Sequence, residues 1–161
     1  MSWPRLLACA VGGLLLSGGA VAAEPLIAAD GDWAPSIGAG DLQAGAGSDL
    51  APTYESSASQ VALDITATAG DGDSWRVDVR RTDADWPAAF TLAVRRTSDG
   101  MGSGSINGGD MYLTITESDQ PFFAGAGDRL NIGAQLRLGG VSLQVPPGIY
   151  GTTLTYTLVD T

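Results

Sequence analysis

The 161-residue chain has no histidine and no lysine, and its one cysteine, Cys9, lies within the first 23 residues. Without imidazole, and without a thiol beyond Cys9, the common zinc and copper sites and the Ser-His-Asp and Cys-His nucleophile arrangements lack their parts. The absence of lysine also removes Schiff-base chemistry. Any catalysis would fall to carboxylates, and these are scattered over turn-like segments rather than set in facing pairs, so a non-catalytic protein is expected. Disulfides are excluded once Cys9 is lost, which leaves sheet packing to stabilise the fold. No stretch reaches 18 apolar residues, so no stable membrane span is expected. Basic residues are few as well: eight arginines face eighteen carboxylates, for a net charge of −10. Phosphate contacts need a basic surface, so nucleic acid is not an expected partner.

Arg5, the apolar run Leu6–Leu16 and the small residues Val21-Ala22-Ala23 before Glu24-Pro25 read as an export leader over residues 1–23. Gly12 and Gly13 break the run, which is too short to cross a bilayer. The product is expected to be secreted, extracellular or on the cell surface. Residues 24–59 form a Gly-, Ala- and Asp-rich arm in which Ser36–Gln43 is expected as an edge strand. Residues 60–161 form the body.

The body alternates with period two, which gives each strand one apolar and one wet face. Val61, Leu63 and Ile65 form one such strand, ending at the turn Ala69–Asp73. Ser74–Thr97 follows as an expected hairpin, with Trp75, Val77 and Val79 on one arm and Phe90, Leu92 and Val94 on the other. Pairing about Trp86 sets Val79 opposite Val94 and Asp78 opposite Arg95, and the three strands make a meander. Arg81 and Arg96 fall in phase with the core positions and mark its rim. Further strands are expected over Met111–Glu117, Asn131–Leu138, Val141–Val145 and Thr152–Val159. Phe122 and Phe123 are adjacent, so one is expected inside and the other at an edge. The glycine-rich loop Ser98–Asp110 lacks the strand and helix that a phosphate cradle needs. No 3.6-residue apolar pattern appears after Ala23, and the fold class is therefore all-β.

Three sets of residues are candidates for binding. The loop pairs Asp30 and Asp32, Asp71 and Asp73, and Asp83 and Asp85 have the oxygen-rich character that calcium favours, and calcium is the one candidate cofactor. Trp33, Trp75, Trp86 and Tyr112 are candidates for a sugar-stacking platform. Five of the eight arginines and only three of the eighteen carboxylates fall within Ser74–Thr97. That imbalance makes Arg76, Arg80 and Arg95 candidates for a subunit contact with an acidic neighbour.

Pro147-Gly148-Ile149-Tyr150 runs into the alternating Thr153-Leu154-Thr155-Tyr156-Thr157, a pattern found where a tyrosine hydroxyl reaches back to loop backbone at a sandwich corner. These residues resemble the closing strand of secreted bacterial immunoglobulin-like modules, including spore-coat-protein-U-like and pilin-type subunits. The resemblance implies an immunoglobulin-like sandwich of about seven to nine mostly antiparallel strands. It also implies a structural role in a filament, pilus or coat, with self-association or other surface-structure subunits as partners. A secreted calcium- or carbohydrate-binding module is the alternative. The cysteine pair usual in pilin-type members is missing here, as is a clear apolar donor strand at the expected mature N-terminus.

Overall fold

The computed structural model describes residues 24–161 and, among the first 23 residues, the backbone of Leu6–Ala8. The expected leader otherwise lies outside the described residues. The strands are β1 (Leu6–Ala8), β2 (Leu26–Asp30), β3 (Asp32–Trp33), β4 (Thr53–Glu55), β5 (Val61–Thr66) and β6 (Ser74–Ala84). They continue as β7 (Thr91–Arg96), β8 (Ile106–Asn107), β9 (Leu113–Thr114), β10 (Gln120–Ala126), β11 (Arg129–Gly139) and β12 (Gly151–Asp160). One sheet runs β3-β1-β12-β6-β10-β8, and the other runs β2-β5-β11-β7-β9 with β4 also paired to β11. Every pairing is antiparallel except that of β1 with β12. The chain is an all-β sandwich, as its alternation requires.

The apolar faces of both sheets meet in one core. Val61, Leu63, Ile65, Trp75, Val77, Val79, Leu92, Val94, Ile132, Leu136, Leu154 and Tyr156 are buried together, with Leu158 packed against them. A second cluster at one end joins Ile37, Leu50, Phe90, Leu138 and Val141. Arg81 and Arg96 sit at the rim, donating from Nε to the Ile115 and Gly108 carbonyls.

The hairpin and meander are not formed. β6 pairs with β10 and β12, whereas β7 pairs with β11 and β9 in the other sheet. Val79 therefore lies opposite Tyr156 and Gln120, and Asp78 opposite Thr157 and Pro121. Alternation specifies which face of a strand is apolar, and that face can be buried from either sheet. It does not choose the hydrogen-bonded neighbour. The long strands β5, β6, β7, β10, β11 and β12 alternate sheets throughout, so no two successive ones are paired. This connectivity departs from an immunoglobulin-like sandwich, in which several successive strands pair as hairpins.

Four local expectations also change. Of the strand expected over Met111–Glu117 only the two-residue β9 forms. Ser36–Gln43 is no strand: Ala39–Asp41 turn as a 3-10 helix, because the Asp41 carboxylate accepts from Gly38 N at 2.8 Å and competes with an extended backbone. Val141–Val145 is a turn closed by Val145 N on the Ser142 carbonyl at 3.2 Å. Phe122 and Phe123 are both buried, with ring centroids 4.9 Å apart. A register shift between Pro121 and Phe123 breaks strict alternation and lets both enter the core. The Tyr150 hydroxyl does reach back, donating to the Pro146 carbonyl at the turn before β12.

Tyr156 carries a different hydroxyl. It is buried, finds no hydrogen-bond partner among the described residues, and its phenol pKa is pushed up by burial. Removing such a group relieves a desolvation cost of about 1–3 kcal/mol, whereas removing a bonded one costs stability. Tyr156→Phe is therefore expected to hold or raise the urea midpoint. A fall in the midpoint would show that the hydroxyl is bonded.

Candidate functional site

Asp71, Asp73 and Asp83 of the three carboxylate pairs are engaged by neighbouring protein groups. Asp71 accepts from Ser103 Oγ, and Asp73 caps the preceding turn by accepting from Ala69 N at 2.7 Å. Asp83 pairs with Arg81 and accepts from Thr152 Oγ1 at 2.9 Å, while Asp85 takes a left-handed φ of 55°. Asp30 ends β2 and Asp32 opens β3. Among the described residues no three His, Cys, Asp or Glu side chains gather where they would hold a metal ion.

The aromatic residues do not form a platform. Trp75 is fully buried, its Nε1 donating to the Gly127 carbonyl at 2.9 Å. Trp33 and Trp86 pack against the core clusters, and Tyr112 lies beside Arg95 and Arg137. An apolar cavity of about 310 Å³ opens between Ile37, Leu42, Leu50, Leu143, Val145 and Pro147.

The arginine set is split between the sheets. Arg76 and Arg80 stand on β6, and Arg95 stands on β7. Arg76 forks onto Asp78 of its own strand at 2.6 and 3.0 Å. Arg80 lies 3.5 Å from Asp119. Arg95 directs Nε and Nη2 to the Gln135 amide oxygen at 3.0 and 2.7 Å. The exposed Arg80–Asp119 pair contributes little to stability, whereas Asp78 and Gln135 are buried; carboxylates neutralise Arg76 and Arg80, and Arg95 has a neutral partner.

The feature that sequence reasoning missed is the outer edge of β12. This strand has ten residues, and its whole length is paired to β6, from Gly151 opposite Ala84 to Asp160 opposite Trp75. On its other side the only pairing among the described residues is parallel, with Leu7 and Ala8 of β1 meeting Thr153 and Leu154. The two outermost strands of this sheet, β3 and β8, have two residues each, and those of the other sheet, β2 and β9, have five and two. Short strands of that kind are one way proteins blunt an edge; others are lysine, proline and bulges. β12 has none of these devices, and its one charged residue, Asp160, is at the end. Its outward side chains are Thr153, Thr155, Thr157 and Val159, against the inward Leu154 and Tyr156. A β-strand of ten residues spans about 30 Å, and roughly half of its N–H and C=O groups point to the edge. Such an edge is equipped to add a strand. The threonine alternation was legible in the sequence, but its position beside β6 was not.

No protein-family model, curated protein or solved structure matches this chain. Among the described residues no helix is long and apolar enough to cross a membrane.

Proposed function

We propose that this chain is a non-catalytic exported structural protein, a subunit of a cell-surface filament, pilus or coat that assembles by strand addition at β12. The observation that carries the reading is β12, ten residues long and without lysine, proline or bulge, whose side away from β6 is paired among the described residues only by β1, at Thr153 and Leu154. In strand addition, main-chain hydrogen bonds supply affinity and alternate side-chain positions supply register. β1 occupies two positions of this edge from within the segment read as leader. Removal of residues 1–23 on export frees the edge for an extended segment of a neighbouring subunit. A contact between an edge on one copy and a different segment on the next is heterologous, and where it does not close it propagates as a fibre.

The test uses residues 24–161 over a range of protein concentrations, by sedimentation velocity and electron microscopy. Wild type is expected to assemble. Thr153→Lys combined with Thr157→Lys is expected to stay monomeric, because the added charges make edge pairing unfavourable. Its melting temperature is expected to stay near wild type, since both positions lie on the outer face. A wild type that remains monomeric at high concentration overturns the proposal.

A further inference from the structure

On the outer face of the β7-β11 pair, two guanidiniums flank one phenol ring. Arg137 Cζ is 3.5 Å from the centroid of Tyr112, and Arg95 Cζ is 4.8 Å from it. Arg137 is committed: its Nε and Nη2 approach Glu55 Oε1 at 2.9 and 2.7 Å, across the register pair Arg137–Glu55. That bond in turn holds the Glu55 carboxyl below its ordinary range. Arg95 is held just as firmly, but by a neutral group. Gln135 lies directly across the ladder, is buried, and donates from its own Nε2 to the Ser56 carbonyl at 2.8 Å, so its amide oxygen is fixed towards Arg95.

Arg95 therefore has a positioned guanidinium with no carboxylate within 4 Å among the described residues. Its Nη1 has no hydrogen-bond partner there either. Arg76, Arg80, Arg81, Arg96 and Arg137 each have a carboxylate. Arg129 lacks one among the described residues but is buried. The local set of Arg95, Arg137 and Glu55 carries one surplus positive charge, on a chain whose net charge is −10.

We infer that Arg95 is a receiving site for a single carboxylate, and that the carboxylate comes from a second copy of this chain. A guanidinium already immobilised by stacking and by Gln135 loses little freedom when it takes an anion. The ionised Glu55 beside it repels a dianion more than a monoanion, which favours carboxylate over phosphate. The charge complement argues for the occupant: with eighteen carboxylates, another copy is the richest source of the matching group. The inference rests on the subunit reading only for that source.

The experiment follows the arginine Nε–Hε resonances of residues 24–161 by ¹⁵N NMR, with Arg95→Gln identifying the Arg95 signal. At low protein concentration, sodium acetate is expected to move the Arg95 signal saturably and the others little, relative to sodium chloride at equal ionic strength. In low salt without acetate, the same signal is expected to move in the same direction as protein concentration rises, and added acetate is expected to reverse the accompanying association. A response to acetate no different from that to chloride overturns the carboxylate site. A saturable acetate response without any dependence on protein concentration overturns the second copy as its source. Thr153→Lys with Thr157→Lys should leave the acetate response intact, so failure of assembly at β12 is distinguishable from failure of this site.

Discussion

Trp75→Ala is expected to remove about 3–5 kcal/mol of folding free energy, measured by urea denaturation of residues 24–161. Domains of this size are stable by roughly 5–15 kcal/mol, so the variant is expected to be largely unfolded at modest denaturant. Trp75 is fully buried on β6, the strand between β12 and β10. Its ring meets Phe123 edge-on at 6.0 Å, and its Nε1 is satisfied by the Gly127 carbonyl. Truncation thus opens a cavity between the sheets and also leaves a buried carbonyl without its donor. Thr155→Ala is the control. Thr155 faces outward on β12 opposite Arg80, and its loss is expected to cost under about 0.5 kcal/mol. Equal losses at the two positions would show that the inward and outward phases have been exchanged.

The sequence carried the phase of these strands because burial acts on single residues. Val61, Leu63 and Ile65, or Leu154 and Tyr156, are inward for the same local reason that they alternate. Pairing depends on which turns let the chain stay in one sheet and which carry it across, and such turns look alike in composition. Asp83–Ala89 carries the chain between sheets rather than folding it back, with Asp85 at positive φ and Trp86 packed edge-on against Phe90 at 5.5 Å. Nothing in the alternation of Val79 or Val94 distinguishes that path from a hairpin. The same limit hid the candidate site. Which strand ends up with an open side is a property of sheet order, and sheet order follows from long-range pairing. The arginines show the complementary case: their number on Ser74–Thr97 was legible, but partners such as Asp119 for Arg80 and Gln135 for Arg95 lie 39 and 40 positions away.

Local rules also failed where a glycine stands for a neighbour's side chain. Gly125 on β10 lies directly opposite Trp75. A Cβ added there would sit 2.5 Å from Trp75 Cη2 and 2.6 Å from the Ser105 carbonyl oxygen. In sequence the position reads only as a weak point in a strand. In the sandwich it is the seat of the indole.

Gly125→Ala is accordingly expected to cost at least about 1–3 kcal/mol by overpacking, a large penalty for one methyl group. The indole cannot retreat easily, since Phe123 packs on it and Gly127 holds its Nε1. The second contact is more compliant, because the Ser105 carbonyl precedes β8, a two-residue strand at the sheet's edge. Combining Gly125→Ala with Trp75→Ala should therefore cost less than the sum of the two. The new methyl group enters space that the ring has left, and a coupling of about 0.5–3 kcal/mol is expected from residues in direct contact. A complete double-mutant cycle by urea denaturation measures it. Additivity within about 0.5 kcal/mol would mean that the penalty arises at Ser105 and the edge strand, and that Trp75 is not what requires glycine at position 125.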